Sequence, residues 1–367
     1  MLLHILNKEF TINDLKNGNF SLEGDEFIDN VLIFCFEWLN GKEAFSMQSS
    51  GSTGTPKTIT VKRQQMYESA KATGAILKLQ RNDTALICMN TDYIAGKMML
   101  VRMLELKLDT WIVPPTSTPF KEHQFPVDFD FTAMAPIQVQ LSLEDVGSKD
   151  RFLNTKKLII GGAPMAESQE DEIILQMVNT KVYMTYGMTE TVSHIALREV
   201  SATSDQLYHT LNNVLIGVDH RNCLNITAPM TDNKKIQTND IVKIISSTSF
   251  QWIGRADNII NSGGVKVQAE KVEKATLHHL FDLGYHNINL FVGGVPNDLL
   301  GEEVTLFIEG VSLSAEDEHQ LLLKLKNELG RYELPKKVVS VGSFVKTNTL
   351  KIQRKQTIKQ YLDATDA

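Results

Sequence analysis

The sequence predicts an α/β protein with a large layered domain followed by a small α+β domain. Apolar segments rich in β-formers alternate with helical patterns through the first two-thirds of the chain, which is typical of a layered α/β domain. From residue 224 onwards the strand-like runs become short and closely spaced. At 367 residues the chain also exceeds what one hydrophobic core usually serves. We therefore expect one domain over 1–256 and another over 257–367.

The elements of both domains follow in order from these patterns. The runs "LNITAP", "DIVKIIS" and "FQWIGR" predict an antiparallel sheet or a small barrel, and thus a small β-rich subdomain. Helical periodicity predicts helices over 64–80, 165–179, 268–283 and 315–329. Strands are predicted at "TALICM" (84–89), "TWIVPP" (110–115), "FDFTAM" (129–134), "KKLIIGG" (156–162), "KVYMTYG" (181–187), 287–292, 302–308 and 337–341.

The composition excludes several classes of protein. A net charge of −7 leaves no basic excess to neutralise phosphates, so we expect no nucleic-acid partner. Cys35, Cys88 and Cys223 form no CxxC pair, which indicates buried thiols in a reducing compartment. The start "MLLHILNKEF" lacks the features of a signal peptide, and "VLIFCFEWL" is too short to span a bilayer. We expect a cytoplasmic protein with no membrane partner.

The segment "SSGSTGTPK" (49–57) has the composition of a phosphate-binding loop. It nearly fits the Walker A pattern, but Pro56 stands where that pattern needs glycine. Proline has no backbone N–H, so it removes a donor from a loop that works by aiming N–H groups at phosphate. A P-loop NTPase is therefore disfavoured. A clamp over a polyphosphate fits better, with Ser49, Ser50, Gly51, Ser52, Thr53, Gly54 and Lys57 as its candidate residues.

This loop resembles the phosphate loop of the acyl-adenylate-forming enzymes, which include acyl-CoA synthetases, peptide-synthetase adenylation domains and luciferases. The resemblance covers everything from about residue 45 to the end, although family members usually carry a longer region before the loop. It implies a layered domain with a truncated first subdomain and a small mobile C-terminal domain. The further motifs follow in the family's order: "GGAP" (161–164), "YGMTE" (186–190), "TND" (238–240), "GRADNIINSGGVKVQAEKVE" (254–273) and "VKTNTLKIQRK" (345–355).

The resemblance implies a site for ATP and Mg²⁺ in the first domain. Tyr186 would stack on the purine, Thr189 would bind the α-phosphate, and Glu190 would be an oxygen ligand for Mg²⁺. Asp240 would bind the ribose hydroxyls, although Asn239 stands in place of the family's glycine. The other residues implied for ATP or AMP binding are Gly161, Gly162, Ala163, Gly187 and Arg255.

The resemblance assigns the second step to the C-terminal domain. Asp257 would be the hinge, and Gly263 and Gly264 would lie beside the thiol tunnel. Lys351 would be the catalytic lysine, with Leu350 where glycine is usual. The implied reaction joins a carboxylic acid to AMP with release of pyrophosphate, and a thiol, CoA or that of a carrier protein, then displaces AMP. The implied partners are the acid, ATP and CoA, and the oligomeric state is open.

A narrower resemblance points to the short o-succinylbenzoate–CoA ligases of menaquinone synthesis. It rests on the short N-terminal region and on the segments 90–104 and 131–140. The alternatives are another aryl- or acyl-CoA ligase and a non-catalytic adenylate-binding protein. Lys97 or Arg102 could hold a second carboxylate, but we favour the interpretation of both as solvated helix residues. His194 either lines the acyl pocket or fills the core.

Overall fold

The structure is a computed structural model and describes most of the chain. The described residues are 1–5, 8–22, 24–48, 58–163, 165–286, 288–347 and 351–365. Their strands are β1 (Leu2–Ile5), β2 (Lys8–Thr11), β3 (Ala44–Gln48), β4 (Thr58–Lys62), β5 (Thr84–Ile87), β6 (Asp109–Ile112), β7 (Phe131–Met134), β8 (Lys157–Ile160), β9 (Lys181–Gly187), β10 (His194–Glu199), β11 (Tyr208–Thr210), β12 (Leu215–Val218), β13 (Cys223–Thr227), β14 (Ile236–Ser246), β15 (Ser249–Arg255), β16 (Ile259–Ser262), β17 (Val265–Gln268), β18 (Leu290–Asn297), β19 (Gly301–Glu309) and β20 (Lys337–Val341).

Helices pack on both faces of the large sheet's central part and on both faces of the small sheet. They are α1 (Ile12–Asn17), α2 (Glu26–Leu39), α3 (Arg63–Leu77), α4 (Ile94–Leu106), α5 (Pro119–Glu122), α6 (Pro136–Glu144), α7 (Lys149–Leu153), α8 (Glu167–Gln176), α9 (Ala269–Asp282), α10 (Ala315–Glu328) and α11 (Arg354–Thr365). On the small sheet, α9 and α10 cover one face and α11 the other. The helices predicted from periodicity are confirmed as α3, α8, α9 and α10.

The large sheet runs in the order β12-β13-β14-β15-β11-β10-β9-β8-β7-β5-β6-β1-β2. Its central strands β5 to β9 are parallel to one another. Parallel strands covered by helices on both faces read as continuous apolar runs, and all four residues of β7 are buried. The five strands predicted for the first domain are therefore confirmed, as is the layered α/β fold.

The N-terminal segment builds one edge of this sheet. Strand β1 pairs with β6 in parallel, and β2 closes the edge as an antiparallel strand. Helix α2 begins at its N-cap Asp25, whose side chain accepts from the Ile28 N–H, and buries Trp38 completely. Two short strands and two helices thus make up the described part of the region before residue 44.

From β9 onwards the sheet becomes antiparallel. Strand β15 pairs with both β14 and β11, so β13 to β15 continue the large sheet within the described residues. The antiparallel alternative for this region is therefore right, and a separate small barrel is wrong.

A second sheet follows a short 3₁₀ turn at Ala256–Asn258. Its order is β17-β16-β19-β18, with β20 parallel to β19. Arg354 of α11 binds Glu273 of α9 through two N–H···O contacts of 2.5 and 3.0 Å, which ties the C-terminal helix to this unit. The change of sheet falls beside Asp257, and the division into two domains there remains a prediction.

Among the described residues, none of the helices combines the length and the apolar character that crossing a membrane requires.

Candidate active site

The phosphate loop, residues 49–57, lies outside the described residues. The strands on either side of it form the hairpin β3–β4, in which Gln48 pairs with Thr58. The backbone therefore brings the two ends of the loop together at one point. Its predicted contacts with phosphate remain predictions.

Two motifs end neighbouring parallel strands at one edge of the sheet. Gly161, Gly162 and Ala163 follow β8, while Tyr186 and Gly187 end β9, which pairs with β8. Ligands of open α/β sheets bind outside the carboxyl ends of the strands, so this edge is where a nucleotide is expected. Gly162 has a φ of +95°, a conformation that favours glycine. Pro164 lies outside the described residues.

A buried polar network joins the motifs of β9, β14 and β15. The Tyr186 hydroxyl donates to Asp240 at 2.7 Å, and both side chains are buried. Burial, and then the charge of Asp240, raise the pKa of Tyr186. Arg255 lies 3.4 Å from the same carboxylate, as does the Trp252 indole N–H. Three motifs that are far apart in the sequence thus meet at Asp240.

The predicted hinge residue belongs to an adjoining network. Arg255 donates to Asp257 at 2.8 Å. The Asn239 amide also donates to Asp257, at 3.1 Å, and accepts from Arg221 at 3.2 Å. Asn239 stands where the family has glycine, so this contact with the hinge depends on a side chain that glycine lacks.

Lys351 lies in the segment that follows β20, and its charge interacts with two of the predicted nucleotide-site residues. Burial lowers its pKa, the charge of Arg255 lowers it further, and Glu190 partly opposes this. Lys351 therefore lies within electrostatic reach of both residues. Its backbone N–H donates to Thr347 Oγ1 at 3.1 Å, which shapes the short segment that carries it. Leu350 lies outside the described residues.

Thr189 and Glu190 lie in a 3₁₀ turn directly after β9. Glu190 is exposed and Thr189 is half-buried. The turn ends at Val192, whose φ of +66° is unusual for a β-branched residue. The Ser193 N–H bonds to the Thr191 carbonyl across it, which makes a strained classic γ-turn.

A second polar cluster lies behind this turn, and sequence reasoning identified only part of it. Arg102 of α4 is 2% exposed, so its interpretation as a solvated helix residue is wrong. Its Nη2 donates to Ser193 Oγ at 2.8 Å, and its Nε is buried without a hydrogen-bond partner. His194 is buried beside them and bonds to Thr73 of α3 at 3.0 Å. No motif or spacing in the sequence pointed to Ser193 or Thr73.

Lys97 lies elsewhere on α4. It lines a cavity of about 330 Å³ between α2, β3 and α4, with its ammonium 5.6 Å from the centre of the Phe34 ring. It is half-buried, and Arg102 does not line this cavity. The two cations that the sequence offered for a second carboxylate are therefore in different surroundings.

Gly263 and Gly264 form the turn between β16 and β17, with φ values of +58° and +80°. A side chain at position 263 would overlap the Tyr332 ring, whereas position 264 has open space. Their predicted place beside a thiol tunnel remains a prediction.

Comparison with known proteins identifies the family. Residues 39–219 match the AMP-binding enzyme family. The chain is 36% identical to an AMP-forming acyl-CoA synthetase/AMP-acid ligase II-like protein from Dyadobacter fermentans, whose crystal structure superposes with a TM-score of 0.63. That match covers 94% of this chain and 97% of the other.

More distant relatives are similar over most of the chain. The 2-succinylbenzoate–CoA ligase of Listeria monocytogenes is 24% identical over 86% of this chain and 70% of its own length. The Bacillus subtilis o-succinylbenzoate–CoA synthetase, solved with ATP and magnesium, is 17% identical with a TM-score of 0.69, covering 85% of this chain and 69% of that one; it supports the fold alone. The chain therefore belongs to the AMP-binding enzyme family and is an AMP-forming acid–thiol ligase.

Proposed function

We propose that this enzyme is an o-succinylbenzoate–CoA ligase. The observation that carries the proposal is Arg102, a buried guanidinium that has no carboxylate partner among the described residues. A buried charge is costly unless it is paired. Burial lowers the pKa of Arg102 only to about 10, so it stays a cation at neutral pH. Such a group is suited to an anion that arrives with the substrate.

A dicarboxylic acid supplies that anion. One of its carboxylates is consumed in the reaction with ATP, while the other stays ionised through both steps. In o-succinylbenzoate the aliphatic arm is flexible and can reach the nucleotide, which leaves the ring carboxylate for Arg102. A guanidinium binds a carboxylate through two parallel N–H···O bonds, and this gives orientation as well as affinity.

The adenylation step uses the residues at the sheet edge. The carboxylate oxygen forms a bond to the α-phosphorus of ATP, and the bond to the bridging oxygen breaks, so that pyrophosphate leaves with the electron pair. Lys351 lies within electrostatic reach of Arg255 although both are cations, which fits a site for an anion. Thr189 and Lys351 would bind the phosphates. Glu190 would hold Mg²⁺, which offsets the charge of the leaving group.

The remaining motif residues complete the nucleotide site in this proposal. Asp240 would take the ribose hydroxyls together with Arg255. The phosphate loop would cover the polyphosphate, and Ser49, Ser50, Gly51, Ser52, Thr53, Gly54, Lys57, Gly161, Gly162, Ala163, Tyr186 and Gly187 would contact ATP or AMP.

The second step needs another surface to face the acyl-adenylate. The CoA thiolate attacks the acyl carbonyl, a C–S bond forms, and AMP leaves with the oxygen. Rotation about Asp257 would withdraw Lys351 and bring the turn of Gly263 and Gly264 to the site. Three free, buried cysteines suit a reducing compartment, and we place the reaction in the cytoplasm.

Pyrophosphate release from MgATP across a panel of carboxylic acids tests the proposal. We expect release only with a suitable acid, and the highest kcat/KM for o-succinylbenzoate. Much better use of benzoate or a fatty acid would contradict the substrate. Release of orthophosphate and ADP would contradict the reaction itself.

A further inference from the structure

We propose that His194, held by Thr73, is a positioning residue that selects for the second carboxylate. This inference rests on the proposed function and extends it to groups that do not touch the substrate. It assigns to His194 the task of fixing the Ser193 hydroxyl, which in turn fixes the Arg102 guanidinium.

The hydrogen bonds of this cluster run in one direction. We assign the Thr73 hydroxyl as the donor to the Ser69 carbonyl, 3.0 Å away, because this carbonyl can only accept. Its oxygen therefore accepts from Nε2 of His194, 3.0 Å away. This makes His194 the Nε2–H tautomer and leaves Nδ1 as an acceptor.

The chain continues from His194 to the guanidinium. Nδ1 accepts from the Ser193 hydroxyl at 3.4 Å. With its hydrogen directed to His194, the Ser193 oxygen presents its lone pairs to Arg102, whose Nη2 donates at 2.8 Å. Rotation of the Ser193 side chain about its Cα–Cβ bond would move the oxygen and break both contacts, so the bond to His194 helps to hold the Ser193 oxygen against Arg102.

A neutral imidazole is what this position requires. His194 is 5% exposed, and the charged group that faces it is Arg102. Burial, and then the charge of Arg102, lower the pKa of His194 well below its usual range. A second cation here would repel the guanidinium and could not accept from Ser193.

Two backbone features fix the position of Ser193 and His194 relative to the YGMTE motif. The strained turn at Val192 sets the direction of the next two residues. His194 pairs with Gly187 of the YGMTE motif, and a side chain at position 187 would overlap the Ser193 carbonyl. This pairing therefore fixes the position of the cluster relative to the motif that carries Thr189 and Glu190.

The contacts leave part of the guanidinium for a ligand. Nη2 carries two hydrogens, of which Ser193 takes one, and Nε has no acceptor among the described residues. A carboxylate could accept from both nitrogens at once. This pair of donors stays aligned only while Ser193 holds Nη2.

The test compares two acids in the pyrophosphate-release assay. One is o-succinylbenzoate, and the other is benzoylpropionate, which lacks the ring carboxylate. We expect His194→Leu to raise KM for o-succinylbenzoate about tenfold and to leave both kcat and the KM for benzoylpropionate unchanged. His194→Gln keeps a donor and an acceptor, so it should retain much of the selectivity.

A second pair of variants does not depend on the imidazole. Thr73→Val keeps the shape of the side chain but removes its hydroxyl, and should raise KM for o-succinylbenzoate severalfold. Thr73→Ser restores the hydroxyl and should restore KM. Thermal unfolding of all four variants shows whether they fold, and if His194→Leu does not, the Thr73 pair decides.

Each outcome bears on the inference. If the wild-type enzyme prefers o-succinylbenzoate and the variants lose that preference, the inference stands. If the wild type prefers it and the folded variants keep the preference, or lose activity equally with both acids, His194 is not a positioning residue. If the wild type shows no preference for the second carboxylate, the proposed function fails and the inference fails with it.

Discussion

The candidate site has a nucleotide side, at the carboxyl ends of β8 and β9, and a proposed acyl side, around Arg102. The two differ in whether their buried charged groups have partners of opposite charge. On the nucleotide side the buried carboxylate of Asp240 already has partners within the protein: Arg255 contacts Asp240 and Asp257, and Tyr186 donates to Asp240. On the acyl side, Arg102 is buried among neutral groups and its Nε has no partner.

This difference indicates what each side recognises. In the proposed mechanism the paired groups at the sheet edge bind ATP, which is the same whichever acid reacts. An unpaired buried cation is stabilised only by a ligand with the matching charge. We therefore expect substitutions on the nucleotide side to affect all acids alike, and substitutions on the acyl side to affect acids according to their second carboxylate.

The largest effect is expected from Lys351→Ala. Adenylate formation should fall by roughly 10²–10³-fold, because one preorganised electrostatic donor is lost. The loss should be the same for o-succinylbenzoate and benzoylpropionate. Thioester formation from supplied acyl-AMP and CoA should stay near the wild-type rate.

Lys359→Ala, which removes an exposed lysine of α11, is the matched control. Single-turnover assays of each half-reaction separate the two steps. Unchanged adenylation in Lys351→Ala would remove this lysine from the mechanism. If Lys351→Ala lost adenylation activity to different extents with the two acids, the proposed difference between the nucleotide side and the acyl side would be wrong.

A smaller effect is expected from Asn239→Gly, which restores the residue usual in the family. It removes the contact of the Asn239 amide with Asp257. One hydrogen bond to a charged group is worth about 1.5–3 kcal/mol when it is well formed, and less at an exposed carboxylate. We expect the ratio of the two half-reaction rates to shift severalfold, equally for both acids. An unchanged ratio would show that Asn239 has no influence on the hinge.

A further effect concerns stability, and not activity, on the acyl side. Because the pKa of His194 lies well below 6.5 in the fold, the unfolded chain takes up a proton below that pH which the folded chain does not. Stability should fall by about 1.4 kcal/mol per pH unit as the pH drops below 6.5. His194→Gln lacks this dependence.

Urea unfolding of the wild type and of His194→Gln, at about pH 7.5 and about pH 5.5, measures how the free energy of unfolding of each depends on pH. The wild type should lose more stability than His194→Gln between these conditions. Parallel losses would mean that His194 is protonated in the fold, and the direction of the hydrogen-bond chain would then be wrong.

The elements that carry the nucleotide-side motifs could be predicted from the sequence for a physical reason. The residues of that side lie in short contiguous motifs at strand ends, so that "YGMTE" names both a strand and a turn. The strands β5 to β9 were also readable, because buried parallel strands leave apolar runs. What the motifs could not show is that Asn239 reaches Asp257, since that contact depends on the fold of β14 against the turn after β15.

The acyl side was not readable for the opposite reason. Thr73 is separated from His194 by 121 positions and contacts it only because α3 packs behind β10. Arg102 has ordinary helical neighbours in the sequence, so periodicity could not tell a buried guanidinium from a solvated one. The boundary of β13 to β15 was also ambiguous, because short antiparallel strands look alike in a barrel and at the end of a large sheet.

The most direct test of the account is the selectivity of Arg102→Met for the second carboxylate. The quantity is kcat/KM for o-succinylbenzoate divided by that for benzoylpropionate, measured for the wild type, Arg102→Met and the control Lys97→Met. We predict that the ratio falls by on the order of a hundredfold in Arg102→Met and stays unchanged in Lys97→Met. An unchanged ratio in folded Arg102→Met, or a collapse in Lys97→Met, would contradict the account.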